Sequence, residues 1–207
     1  MGYKDHRLPN ILNNYLEEIY ANQELNNAFF DCDIEIYGPE WVKDLLDNDE
    51  WKEDFLTGGK SNYDIKPFAR SGSGGLWVVL NDKMIGYIGT EGECGIIAKN
   101  IHEFINIVAT CKGCFFRISH IKDEESFIHA YNVDNKDFEY KDIMDQFIKK
   151  HHFENDPKKI YKMVKRGLTV KPFFIIKATD DNYVDSYSLL GSDDGQKSLE
   201  YFIEHYL

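Results

Sequence analysis

What this chain of 207 residues has little of narrows its class before any motif does. It holds four cysteines, too sparse a set for the disulfide framework of a secreted scaffold. The expectation is a cytoplasmic protein with reduced thiols. Long apolar runs are missing. Stretches such as Phe173-Phe174-Ile175-Ile176 fall far short of the roughly 20 residues a spanning helix needs. The opening Met1-Gly2-Tyr3-Lys4-Asp5-His6-Arg7 is polar and lacks the apolar core of a secretory signal. His6 also stands where a myristoylation signal carries Ser or Thr. No membrane association is expected. Positive charge is short as well: 24 Lys and Arg against 36 Asp and Glu leave a formal net charge of −12. Phosphates are repelled by such a surface, which argues against nucleic-acid binding and permits a basic partner. Two catalytic signatures are absent, the Gly-x-Ser-x-Gly elbow and His-Glu-x-x-His.

What is present is ample material for one core. Apolar residues make up 43% and aromatics 14%, too many for a disordered chain. Leu8, Ile11, Leu12, Tyr15, Leu16, Ile19 and Tyr20 recur at steps of three and four, which predicts an amphipathic helix over about 8–28. Gly38 to Leu56 reads as two short helices broken near Asn48, and 57–62 as a loop. From 65 to 98 the period changes to that of strands. Strands are predicted at 65–70, 76–80, 84–89 and 94–98, joined by connections too short for anything but antiparallel neighbours. Asn100 is placed to cap a helix whose apolar face is Ile101, Phe104, Ile105 and Val108. Beyond it, helices are expected around 127–131 and 143–148, behind the Asp156-Pro157 start, and at Leu199–Tyr206. Phe173 to Ala178 reads as a late strand or buried extended segment. The order of helices, then meander, then helices is an α+β pattern. It predicts one domain over 1–207: an antiparallel β-meander covered by helices, core at about 35–110, with a mainly helical C-terminal extension over about 111–207.

Three candidate sites have bland readings that fit better. Ser71-Gly72-Ser73-Gly74-Gly75 is glycine-rich, but no Lys follows the glycines and a strand, not a helix, comes next. That is the context of a turn, not of a phosphate loop. Cys111-Lys112-Gly113-Cys114 lacks the second ligand pair zinc requires, and it follows a helix instead of opening one. Buried free thiols are expected there, without metal or cofactor. His151 and His152 are adjacent, so on a helix they diverge by about 100°; His120 and His129 are isolated.

Charge is unevenly spread. Glu40 to Asp54 holds seven acids against Lys43 and Lys52, and residues 180–207 hold seven against Lys197. Lys149 to Arg166 runs the other way, with seven basic residues against Glu154 and Asp156. Most such runs are solvated faces. An acidic face also raises the association rate of a cationic partner.

The stretch Pro67-Phe68-Ala69-Arg70-Ser71-Gly72-Ser73-Gly74-Gly75-Leu76-Trp77 resembles the SUKH superfamily of small α+β proteins. The resemblance continues through the segment from Ile85 to Ala98 and into Ile101-His102-Glu103-Phe104-Ile105, covering roughly 35–110. It implies structural roles for Pro67, Phe68, Gly72, Gly74, Gly75 and Gly95. It also implies a binding protein without a catalytic set, either an immunity protein that neutralises a toxin by contact or an intracellular regulator of the cell-wall-synthesis type. A neighbouring gene for a large secreted toxin favours the first, and a solitary gene the second. The partner expected is a basic toxin domain, met by Trp41, Asp44, Asp47, Glu50, Trp77, Glu91 and Glu93. An unrecognised hydrolase or nucleotide binder is the remaining alternative, since fold analogy does not decide function.

Overall fold

A computed structural model describes residues 5–48, 50–56, 59–90, 93–115, 123–177 and 187–188. Helix α1 spans Asn10–Ala21 and α2 spans Gln23–Asp31. The single helix expected over 8–28 is therefore two. Asn22 breaks it: its backbone is extended (φ −115°, ψ 106°) and its side chain accepts from the Leu25 N–H at 3.1 Å. Asn is a favoured N-cap, so the second helix starts afresh at a new angle while the apolar stripe runs on through both. Pro39–Asp47 (α3) and Glu50–Leu56 (α4) follow as expected, broken at Asn48.

The meander comprises β2 (Ile65–Arg70), β3 (Leu76–Leu80), β4 (Met84–Ile88) and β5 (Glu93–Ala98), after a two-residue β1 (Lys60–Ser61). β2, β3, β4 and β5 pair antiparallel in that order. Asn81 and Asp82 turn β3 into β4 with φ of 49° and 57°, the left-handed pair that a tight hairpin of this twist demands. Pro67 lies in an edge strand beside a register shift, where its missing N–H does least harm. One pairing departs from the expected antiparallel sheet. A short β7 (Tyr187–Ser188) runs parallel to β5. β6 (Ile176–Lys177) pairs with β1 in a separate ribbon.

After β5 come α5 (Ile101–Cys111), α6 (Glu124–Asp134), α7 (Lys141–Lys150) and α8 (Pro157–Leu168). Asn100 caps α5 through the Glu103 N–H at 2.8 Å, and Asp156 caps α8 ahead of Pro157.

The sheet is buried on both faces. Trp77, Val79, Ile85, Tyr87 and Ile97 point into one core, filled by α1, α2 and α5. Leu76, Val78, Leu80, Ile88 and Ile96 point into the other, closed by Trp51 and Leu56 of α4, Tyr63, Phe174 and Ile176. This is why Leu76-Trp77-Val78-Val79-Leu80 reads as a continuous apolar run without alternation. Residues 123–177 are built into both cores. Met144, Phe147, Ile148, Ile160 and Val164 share the core of α1 and α5. Buried Asn106 fastens the α7–α8 connection, donating to the Glu154 carbonyl at 2.8 Å and accepting from the Glu154 N–H at 3.0 Å. The helix expected at Leu199–Tyr206 lies outside the described residues.

Candidate functional site: a docking surface beside the sheet edge

The glycine-rich turn sits between two antiparallel strands, so no helix N-terminus stands behind it to hold a phosphate. Its residues are structural. Gly74 has φ 92°. A Cβ on Gly75 would lie 2.2 Å from the Tyr87 hydroxyl and 2.8 Å from the Ile88 carbonyl oxygen. Ser71 Oγ accepts from the Gly75 N–H at 3.0 Å and lies 3.0 Å from the Tyr87 hydroxyl, closing the turn from inside. From outside, the Gly72 N–H donates to Asp33 Oδ1 at 2.8 Å. Asp33 holds a left-handed backbone (φ 64°), and its carbonyl accepts from the Trp77 indole N–H at 2.9 Å. Burial raises the Asp33 pKa. The Gly72 N–H draws it back down, and the nearby Glu35 charge pushes it up.

Glu35 and Arg70 exchange backbone hydrogen bonds of 2.8 and 3.2 Å, so the segment after Asp33 runs along the end of edge strand β2. This pairing places three large side chains together. The Arg70 guanidinium lies over the Trp41 ring at 5.6 Å, and the Tyr37 ring meets Trp41 at 4.6 Å with a 35° tilt. The Tyr37 hydroxyl donates to Glu35, a bond that raises the tyrosine pKa more than its slight burial does. Tyr20 stands beside Gly38, where a Cβ would come within 2.9 Å of its hydroxyl. Tyr20 and Tyr37 are 46% and 37% exposed, so this aromatic cluster faces solvent.

Of the residues expected to meet a partner, Trp41, Asp44 and Asp47 share α3, and Glu50 opens α4. The three acids are exposed and Trp41 is partly buried. Asp47 is also held by the Arg7 guanidinium at 2.6 Å. Glu91 and the side chain of Glu93 lie outside what the structure describes. Trp77 does not belong to this surface. It is 4% exposed and wedged among Tyr87, Phe104 and Phe115, with ring distances of 4.9, 5.3 and 5.6 Å. Its mid-strand position faces the α5 core. Arg70, Tyr37, Tyr20 and Glu35 were not singled out from the sequence. The signal was there for Arg70: it is the exposed polar residue that ends the strand after the apolar run Pro67-Phe68-Ala69.

Elsewhere the chemistry is quiet. Cys32, Cys94, Cys111 and Cys114 are free and buried. Burial pushes the Cys32 and Cys111 thiols well above the usual range, away from the reactive thiolate. Lys112, between Cys111 and Cys114, turns the chain at φ 46° and pairs its ammonium with Asp145. Among the described residues no group of three His, Cys, Asp or Glu side chains is placed to hold a metal ion. His151 contacts Glu18 at 3.0 Å, and His120 lies outside the described residues. An open depression of about 440 Å³ is lined by Asp31, Gly113, Asp134, Asp137, Phe138 and Glu139, and no basic side chain among the described residues joins them. No helix among the described residues is long and apolar enough to cross a membrane. The chain matches no family model, no curated protein and no solved structure.

Proposed function

We propose that this chain is a non-catalytic protein-binding module, an immunity protein that neutralises a cognate toxin by seating a basic domain of it on the α3 face. The observation that carries the reading is the solvent-facing stack of Tyr37, Trp41 and Arg70 on a rigid sheet edge. Trp, Tyr and Arg are the residue types that dominate binding energy at protein interfaces. Here they are held in place before any partner arrives, which lowers the ordering cost of association. Exposed Glu40, Asp44 and Asp47 beside them supply the field that steers a cationic surface. The resemblance of residues 67–77 and 85–105 to the SUKH superfamily supports the class of partner.

The test is capture of, and protection against, the product of the neighbouring gene. Trp41→Ala should weaken capture by about 30-fold or more, the loss expected of a central hot spot, while circular dichroism still reports a folded chain. The reading fails if Trp41→Ala and Arg70→Ala both protect as well as the parent.

A further inference from the structure

We propose that this chain also binds a second copy of itself head to tail, the basic face of α8 in one copy seated on the acidic face of α3 in the next. This does not rest on the toxin reading, although both use α3.

Helix α8 buries Ile160, Val164 and Gly167, which leaves Lys158, Lys159, Lys162, Lys165 and Arg166 on its exposed face. Two of these cations are matched within the chain: Lys159 pairs with Glu154 at 2.7 Å and Arg166 with Glu103 at 3.2 Å. Lys158, Lys162 and Lys165 have no acidic partner among the described residues. They form a stripe spaced four and then three residues apart. Helix α3 carries the opposite stripe at the same spacing: Glu40, Asp44 and Asp47, all exposed. Each stripe spans about 10 Å of helix, at 1.5 Å per residue. Two helices laid side by side thus bring three lysines opposite three carboxylates. Lys43 and Arg7 dilute the acidic stripe, and Arg7 already holds one oxygen of Asp47. Glu40 and Asp44 are unmatched by any described cation.

The two stripes do not meet within one molecule. α3 packs beside β2 and α8 beside β5, the first and fourth strands of the sheet. Three strand spacings, roughly 14 Å, separate those strands. No described ion pair joins α3 to α8. A surface beside one strand that fits a different surface beside another gives a heterologous contact, which repeats along a row or closes into a ring. Exposed ion pairs are individually weak and screened by salt. The assembly should therefore be concentration-dependent and confined to low ionic strength. A basic toxin seated on α3 displaces the α8 of the neighbouring copy.

Light scattering and sedimentation of the full chain, with no toxin present, test this directly. At about 0.01 M salt the average mass should rise with protein concentration, and above about 0.15 M it should fall to that of the monomer. The triple variant Lys158→Glu, Lys162→Glu, Lys165→Glu should be monomeric at low salt. So should the double variant Glu40→Lys, Asp44→Lys, which spares the Arg7 pair of Asp47. An equimolar mixture of the two variants restores complementarity and should regain the higher mass, which also shows that both are folded. The proposal is overturned by a parent that stays monomeric at low salt, by variants that associate alone as the parent does, or by a mixture that remains monomeric.

Discussion

Gly167→Ala sets two well-known effects against each other, and the structure decides which prevails. In an exposed helix, Ala is better than Gly by about 1 kcal/mol, so the exchange should stabilise. But Gly167 lies in the last turn of α8 with its backbone against β5. A Cβ there would fall 2.1 Å from the Ile97 carbonyl oxygen, 2.5 Å from the Ile97 carbonyl carbon and 2.9 Å from the Ala98 nitrogen. Comfortable heavy-atom contacts begin near 3.5 Å, so helix and strand must part by roughly 1 Å. Neither side is free to give. β5 is tied to β4, and α8 is anchored by buried Ile160 and Val164. Overpacking of this kind costs about 1–3 kcal/mol, and obstruction by backbone belongs at the upper end. Set against the helix gain, a net loss of about 2 kcal/mol is expected. That corresponds to a fall in Tm of about 4–8 °C for a domain of this size. Urea unfolding is the assay: the midpoint should drop with the slope m unchanged. Lys162→Ala, on the exposed face of the same helix, should stay within about 0.5 kcal/mol of the parent. A midpoint for Gly167→Ala equal to or above the parent's would refute the close approach of α8 to β5.

Asp33→Asn should stabilise the protein at neutral pH. The native Asp33 pKa lies above its unfolded value through burial, so the folded state binds the proton more tightly and stability falls as pH rises through that shifted pKa. Asn keeps the acceptor for the Gly72 N–H, tolerates the left-handed backbone and carries no charge. The gain in urea midpoint should shrink as pH falls through the raised Asp33 pKa and vanish below the ordinary carboxylate value of about 4, and a pH-independent difference would remove the electrostatic explanation. The four cysteines, all buried, should resist an aromatic disulfide reagent in the native state and react together on unfolding. Fast labelling of Cys111 or Cys114 in the folded protein, or one equivalent of zinc in protein purified without it, would contradict the packing described.

The strands were legible because their punctuation is strict. Asn81-Asp82 and the glycines of the 71–75 turn admit few backbone paths, and each fell where its residues required it. Helix starts with a side-chain cap followed by Pro or an apolar stripe were legible for the same reason, at Asn100 and Asp156. Two features were not. The break at Asn22 falls inside an apolar stripe that remains continuous in sequence, because both helices serve the same core and the periodicity carries no record of a change in direction. The integration of α7 and α8 into that core was equally hidden. Their apolar faces are plain in sequence, but which core they complete depends on tertiary contacts such as Asn106 to Glu154, 48 residues apart.

The three tryptophans show why the docking surface was only half legible. By residue type Trp41, Trp51 and Trp77 are alike, since each is large and capable of anchoring a partner. Their fates follow from how many sides of their element are covered. Trp77 lies in β3, an inner strand with a packed layer on either face, so every side chain of that strand is enclosed. Trp51 lies on the short helix that closes the second face and points into it. Trp41 lies on a helix that leans on the sheet's edge instead of its face, and an edge covers only part of a ring that size. The remainder is flanked by Tyr37 and Arg70 and stays partly open to solvent; the two reach it because the Glu35–Arg70 backbone pair draws the two segments together. That pair joins residues 35 apart with no periodic signal. The acids of α3 were therefore visible from composition, while the arginine and tyrosine that turn a charged helix into a shaped surface come only with the fold.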